Sequence, residues 1–350
     1  MQSTPLGRPI IIVGAGGIVR DAHLPAYSKA GFRVAGIYDL EHRKAQTLAD
    51  QYGIPRVFAT LEEAAAAATP ETVFDVAVPA GSTADVLRAL PSGLGVLIQK
   101  PMGENIEQAR VIRDLCRAKK FTAAVNFQLR FAPAVAAARG MIDRGQIGDL
   151  IDVEVRITAY TPWHMWTFLE KLPRMEILYH SIHYIDMIRS FLGDPKAVYA
   201  KSTRHPSAPK LASCCSTVIM DYGDKVRANF QTNHGHAYGP KHQESYAKWE
   251  GTRGAIKTRL GVLLDYPRGV PDRFEYVELE EGKPPEWQTL ELQGSWFPEA
   301  FAGSMASLLN YLDGTSSTLP TSVEDAYRTM AVVEAAYEST DGGGTKVNYE

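Results

Sequence analysis

Cysteine is scarce in this chain of 350 residues; the three are Cys116, Cys214 and Cys215. Two are adjacent, and a disulfide between chain neighbours is strained. The thiols therefore read as reduced, which excludes a disulfide-built secreted scaffold and points to the cytoplasm. Long runs of one charge are also missing. Lys and Arg number 37 against 40 Asp and Glu, a net charge of −3, so nucleic acid and anionic membrane are excluded as partners. No apolar stretch approaches the roughly 20 residues of a spanning helix, and no charged leader precedes a shorter one, so neither a membrane anchor nor a signal peptide is expected. Internal repeats are absent, and one short alanine run is the only compositional bias. What remains is an ordinary globular composition, 45% hydrophobic and 22% charged, in a chain long enough for two domains.

The most informative motif lies near the N-terminus. An apolar run, Ile10 to Val13, leads into Gly14-Ala15-Gly16-Gly17-Ile18-Val19, and a second, Phe32 to Tyr38, ends on Asp39. That is the order of parts in a nucleotide-binding β-α-β unit. Gly14 allows the tight turn, Gly16 lets backbone N–H groups approach a pyrophosphate, and the following helix offers its positive end to the phosphates. Asp39 stands where a carboxylate accepts the ribose hydroxyls, which favours NAD over NADP; Arg43, one helical turn on, is the residue that would admit a 2′-phosphate. Val19 occupies the third glycine position, which would hold helix and strand slightly further apart.

Strands and helices then alternate, as in a doubly wound parallel sheet. Strands are expected at Pro55–Phe58, Val73–Val78 (ending at Pro79), Val96–Ile98 and Thr122–Asn126, which with the first two makes six. Helices are expected at Glu41–Tyr52, Leu61–Ala68, Ala84–Leu90 and Ile106–Ala118. Residues 1–127 form the expected dinucleotide domain and 128–350 an α+β domain with a large, open, mainly antiparallel sheet. In the second domain Pro133–Arg144 reads as a helix, and Asp149–Thr158 alternates as a half-exposed strand. Ile177–Leu192 reads as a helix stopped at Gly193. Strands follow at 197–202, 214–220, 226–233, 246–250, 255–259 and 288–292. Helices at Phe301–Leu312 and Val323–Glu338 close the domain and are expected to pack back on the first; residues 341–344 read as a flexible turn.

Two constellations carry chemistry. Gln99-Lys100-Pro101 ends a predicted parallel strand, where such sheets bind ligands. A lysine held there by proline can donate to a substrate hydroxyl and stabilise the alkoxide formed as a proton leaves. The second is Tyr179-His180-Ser181-Ile182-His183-Tyr184-Ile185-Asp186. On a helix Tyr179 and His183 are i,i+4 neighbours and His183 and Asp186 i,i+3. Histidine accepts a proton near neutral pH, and Asp186 either fixes its tautomer or is a surface charge. Asn126, Gln128 and Arg130 in the crossover, with Trp163 and His164 in a probable aromatic loop, read as pocket lining; aromatic faces suit sugar rings. His180, His183, Asp186, His234 and His236 match no metal-binding spacing, so no metal is expected.

Together these motifs resemble the glucose-fructose oxidoreductase / inositol dehydrogenase / MocA-like (Gfo/Idh/MocA) family over almost the whole chain. GAGGIVRDAHLPAY resembles the family's nucleotide turn, Asn126–Pro133 its crossover, and SIHYIDMIRSFLG its Gly-x-His-x-x-Asp-x-x-Arg helix. Gln99-Lys100-Pro101 falls where the family carries Glu-Lys-Pro. The resemblance implies an NAD(P)-dependent dehydrogenase of a sugar or cyclic polyol. His183 would be the base, Lys100 would hold the reacting oxygen, and Tyr179 would stand where the family often has Asp. It implies a cofactor set of Gly14, Gly16, Gly17, Ile18, Asp39, Arg43, Pro79, Gln99, Lys100 and Asn126. It implies a substrate set of Lys100, Gln128, Arg130, Trp163, His164, Tyr179, His180 and His183, and a homodimer or homotetramer through the open sheet. Relatives that cleave glycosidic bonds by transient oxidation, or that bind nucleotide as sensors without catalysis, supply the alternative functions. Gln99 for Glu removes a charge beside Lys100 and would lower its pKa.

Overall fold

The computed structural model describes residues 7–266 and 268–345. The chain divides into two compact units; one runs to Ala132 and takes in Phe297–Met330, and the other comprises Pro133–Trp296 and the chain from Ala331 onward.

The first unit is built on strands β1 (Ile10–Val13), β2 (Val34–Tyr38), β3 (Val73–Val76), β4 (Gly95–Ile98) and β5 (Thr122–Val125). All pair in parallel in the order β2-β1-β3-β4-β5. Helices α1 (Leu24–Ala30), α2 (His42–Tyr52), α3 (Leu61–Ala66), α4 (Thr83–Ala89) and α5 (Ile106–Ala118) alternate with them. Every residue of β1, β3 and β4 is buried, as in parallel strands covered on both faces; Asp75 in β3 is the charged exception. The helix starts are set by side chains. Thr60 Oγ1 accepts the Glu63 N–H at 3.1 Å, and Asn105 Oδ1 accepts the Gln108 N–H at 2.9 Å, satisfying donors that a helix leaves open. The order reverses between β1 and β3, and ligands of such sheets bind beyond the strand ends at that point.

The sheet has five strands rather than the six expected. Pro55–Phe58 contributes a single bridge, Val57 to Ile37; its opening proline has no N–H to give a ladder. Val19 is wholly buried at the third glycine position, and the chain there takes a wider π turn, Val19–His23, before α1.

The second unit opens with α6 (Pro133–Asp143) and holds an eight-stranded sheet: β6 (Leu150–Thr158), β7 (Ala197–Thr203), β8 (Cys215–Asp221), β9 (Arg227–Asn233), β10 (Glu244–Gly251), β11 (Gly254–Arg259), β12 (Arg273–Glu278) and β13 (Gln288–Leu290). The order is β13-β12-β11-β10-β6-β9-β8-β7, antiparallel apart from the parallel pair β6–β9. One face buries Val153, Val155, Phe230 and Trp249 beneath α7 (Ile182–Leu192). Tyr184 packs on Phe230 and Phe191 on Trp249, at ring-centroid separations of 5.9 and 5.1 Å. On the other face Tyr199 and Ile219 are directly paired and exposed.

Here the structure adds β12, which its charged residues Arg273, Glu275 and Glu278 disguise. The expected helix 177–192 is in fact two pieces, a π turn over Glu176–Ser181 and then α7. It stops at Gly193 as read, with φ +77° and its N–H on Arg189 O at 2.8 Å. Trp163 and His164, expected in an aromatic loop, lie in 3₁₀ turns over Trp163–Lys171 kinked at Trp166.

Two C-terminal helices complete the chain. α8 (Glu299–Leu312) buries Phe301, Met305 and Leu308 in the core that holds Ile10, Leu24 and Tyr27. Thr321 and Ser322 lie along β5, with Val125 N–H on Thr321 O at 2.8 Å. α9 runs Val323–Gly342 and takes in the first two residues of the turn expected over 341–344. No described helix is long and apolar enough to cross a membrane.

Candidate active site

In the first unit the glycine turn follows β1 directly. Gly14 has φ +113°, donates its N–H to Tyr38 O at 2.7 Å, and would press a Cβ to 2.3 Å from Ala77 O. Only glycine fits there. A Cβ on Gly16 would instead meet no protein atom within 4 Å, and Gly16 and Gly17 are exposed. The backbone beyond the turn thus lies open, as close approach of a pyrophosphate requires. Asp39 ends β2 and braces the turn; its Oδ2 accepts the Ala15 N–H at 2.6 Å and its Oδ1 the Glu41 N–H at 2.7 Å. Ile18 is half-buried beside the turn, and Arg43 and Pro79 are exposed.

The end of β4 carries Gln99 and Lys100. Burial lowers the Lys100 amine from its ordinary 10.5 to about 8. Beneath it runs a hydrogen-bonded chain that the sequence reading missed. Asp75 Oδ2 accepts from Tyr27 OH at 2.8 Å and faces His23 Nδ1 at 2.7 Å. His23 Nε2 lies 3.3 Å from Asn126 Nδ2, which also donates to Gln99 Oε1 at 2.9 Å. One tautomer satisfies the chain: His23 gives its Nδ1–H to the carboxylate and accepts at Nε2. His23, Asp75 and Asn126 are wholly buried. The histidine sits in the DAHLPAY stretch, but no local spacing ties residue 23 to residue 75.

The same strand ends hold spare acceptors. Asn126 Oδ1 and Gln128 Oε1 are buried and meet no donor among the described residues, which suits N–H donors such as a carboxamide. With the Gly14–Gly17 cradle, these features fit a nicotinamide dinucleotide. Arg130 is engaged structurally, with Nη2 on Asp325 Oδ2 at 2.5 Å and Nη1 on Pro320 O at 2.9 Å.

In the second unit the histidine-rich segment spans the π turn and the start of α7. His183 is 5% exposed and meets Trp296 edge-on at 5.3 Å. Asp186 is buried, so it is no surface charge. Tyr179 packs with Trp163 and Trp166 against a small cluster around Leu169, Met175 and Cys214. Trp163 also meets His234 edge-on at 5.7 Å. Tyr179, His180 and Trp163 thus share one wall, while His164 is exposed.

Beneath that wall lies Glu176, wholly buried and absent from the expected set. Its Oε1 accepts from Ser181 Oγ at 2.5 Å and Thr232 Oγ1 at 2.8 Å, and its Oε2 from Ser216 Oγ. Burial pushes the carboxyl up, but His234 and the serine hydroxyls outweigh it and hold the group below its ordinary range. The signal was a lone acid in the apolar run Met175–Leu178, four residues before His180.

Comparison with known proteins places this geometry. Residues 9–127 match the model described as oxidoreductase family, NAD-binding Rossmann fold, and residues 139–348 match oxidoreductase family, C-terminal alpha/beta domain. The D-apiose dehydrogenase of Rhizobium rhizogenes is 23% identical over 90% of each chain. The D-xylose 1-dehydrogenase (NADP+) 2 of Haloferax volcanii is 26% identical over 95% of this chain and 97% of its own. An oxidoreductase from Agrobacterium radiobacter, solved with NAD+, superposes with a TM-score of 0.77 at 22% identity, covering 96% of this chain and 97% of its own. The protein is a member of the Gfo/Idh/MocA oxidoreductase family, an NAD(P)-dependent oxidoreductase whose residues 9–127 match the family's NAD-binding Rossmann fold.

Proposed function

We propose that this chain oxidises one hydroxyl-bearing carbon of a sugar or cyclic polyol, with NAD as the preferred acceptor. The observation that carries the reading is Lys100, a partly buried lysine of lowered pKa at the carboxyl end of a parallel strand. Ligands bind at such ends, and an amine poised near neutrality is matched to proton chemistry at working pH. Lys100 donates to the reacting oxygen and holds its developing charge. His183 takes the hydroxyl proton. The bound nicotinamide supplies the hydride acceptor for the carbon-bound hydrogen. Tyr179 and Gln128 orient substrate hydroxyls, and Trp163 offers an apolar face to the ring. The names of the pentose dehydrogenases reported above support an aldose as the first substrate class to test.

The preference for NAD rests on Asp39, whose carboxylate is fixed by the Ala15 and Glu41 amides and would repel a 2′-phosphate. A second copy of the chain is the partner we assign to the exposed sheet face carrying Tyr199 and Ile219; sedimentation should give a dimer or tetramer. The activity is tested by following reduced cofactor across a panel of aldoses, inositols and anhydrosugars, with NAD and NADP in parallel. Strong formation with one class, abolished by Lys100→Ala and by His183→Ala, supports the proposal. Bound cofactor with no reduction on any of them counts against it and favours transient oxidation or a sensor role.

A further inference from the structure

The second unit contains a donor cluster that the proposed dehydrogenase chemistry leaves unused. Glu176, His180 and His234 each place one ligand atom within 4.8 Å of the others. His234 Nε2 and Glu176 Oε1 are 3.6 Å apart, and both side chains are wholly shielded from solvent. The rings of His180 and His234 lie 3.9 Å apart at their centroids.

We propose that Glu176, His180 and His234 form a three-ligand site for a divalent cation of the zinc class. Ligands about 2.0–2.1 Å from a tetrahedral zinc stand roughly 3.4 Å apart, close to the 3.6 Å between His234 and Glu176; at this length the pair is not a hydrogen bond.

His234 Nδ1 lies 3.0 Å from Thr161 Oγ1. When Nδ1 gives its hydrogen to that hydroxyl, Nε2 keeps a lone pair on the side of the carboxylate, and His234 Nε2 makes no hydrogen bond among the described residues. Two buried acceptors facing each other need a positive charge between them: a proton on His234, the pairing that holds the Glu176 carboxyl low, or a metal cation in the proton's place.

Metal-bound histidines donate their other N–H to an oxygen, and ligating carboxylates are themselves hydrogen-bonded. Thr161 plays the first part. Ser181, Ser216 and Thr232 play the second, an unusual concentration of hydroxyls on one buried acid. Glu176 and His180 sit in a π turn, Glu176–Ser181, a rare conformation concentrated at functional sites.

Two imidazoles and one carboxylate select zinc and its first-row neighbours over magnesium or calcium, which take all-oxygen shells. Three protein ligands leave a fourth position for water or a substrate oxygen, as in catalytic zinc sites. His180 then acts as a metal ligand in place of the direct substrate contact expected from the sequence. The spacing 176, 180, 234 fits no linear motif, which is why the histidines alone pointed to no metal. The proposal rests on the second unit alone and stands or falls independently of the dehydrogenase reading.

The test is metal binding, not activity. The full-length protein is stripped with chelator and titrated with Co2+ and Zn2+, reading the visible Co2+ bands and the ion bound per chain by equilibrium dialysis. The proposal predicts one ion per chain, intense bands of a tetrahedral site, and a melting temperature raised by Zn2+. Glu176→Gln keeps the side chain's size, and His180→Gln alters a half-buried position; each should weaken binding at least 100-fold while the protein stays folded by circular dichroism. Thr161→Val, outside the ligand set, should weaken it 10- to 100-fold. No stoichiometric ion, or an ion whose affinity is untouched in folded Glu176→Gln and His180→Gln, overturns the proposal and leaves a buried His–Glu ion pair.

Discussion

Lys100 yields a quantitative pH prediction. Burial brings its amine from 10.5 to about 8; at 1.36 kcal/mol per pK unit that is about 3 kcal/mol of disfavoured charge. If protonated Lys100 holds the reacting oxygen, kcat/KM for sugar oxidation falls above about pH 8. Near pH 9 only about a tenth of the enzyme stays protonated at that site. A solvated lysine would hold its charge past pH 10. Gln99→Glu places a carboxylate next to the amine in the chain, and a nearby opposite charge raises a lysine pKa by about 1–3. The descending limb should therefore move from about pH 8 to about 9 or beyond. Stability carries the opposite sign. The folded protein releases the proton from about pH 8 upward and the unfolded chain only near 10.5. The unfolded state thus binds more protons in that window, and stability rises across it. Lys100→Met removes the buried charge and should be more stable than wild type at pH 7, with the gap closing as pH rises from 8 to 10.5. The assay is kcat/KM against pH for wild type and Gln99→Glu, beside urea melts for wild type and Lys100→Met. A limb that stays put in Gln99→Glu, or activity that climbs steadily to pH 10, refutes the assignment.

Two further outcomes follow from the first unit. Asp39→Ala removes the carboxylate that receives the Ala15 and Glu41 amides and the expected ribose acceptor. KM for NAD should rise about 10- to 100-fold, from the roughly 1.5–3 kcal/mol of a hydrogen bond to a charged group, with the NADP value changing less; an equal rise for both cofactors contradicts the ribose role. His23→Ala leaves the buried Asp75 carboxylate with Tyr27 as its remaining described partner on Oδ2, and should cost about 3–5 kcal/mol of stability in urea melts. A loss under 1 kcal/mol would mean that the Asp75–His23–Asn126–Gln99 chain does not anchor this strand end.

The sequence made the local, periodic features legible. The glycine turn, Asp39 and the lysine at the end of β4 follow from a strand–turn–helix order whose parts are neighbours in the chain. The helix stop at Gly193 and the alternating strand at 150–158 are likewise local. What escaped was either non-local or disguised. Asp75 and His23 meet across 52 residues, and Glu176 meets Thr232 across 56, so no window contains either pair. β12 hid behind its charges, and the π turn at 176–181 cannot be told from an α-helix by periodicity. Pro55–Phe58 reads as a strand, but its opening proline has no N–H to enter a ladder and a single bridge to Ile37 forms. Arg130 read as pocket lining in the crossover, yet its guanidinium is engaged by Asp325 from far along the chain.

The most direct test of the central claim is to follow the hydrogen itself. An aldose deuterated at the oxidised carbon is incubated with the enzyme and NAD, and the reduced cofactor is weighed by mass spectrometry. Hydride transfer places deuterium in the reduced nicotinamide at one atom per turnover. The rate should fall by about 10²–10⁴ in His183→Ala and about 10²–10³ in Lys100→Ala. Product that forms without deuterium in the cofactor, or a rate that neither substitution changes, would contradict it.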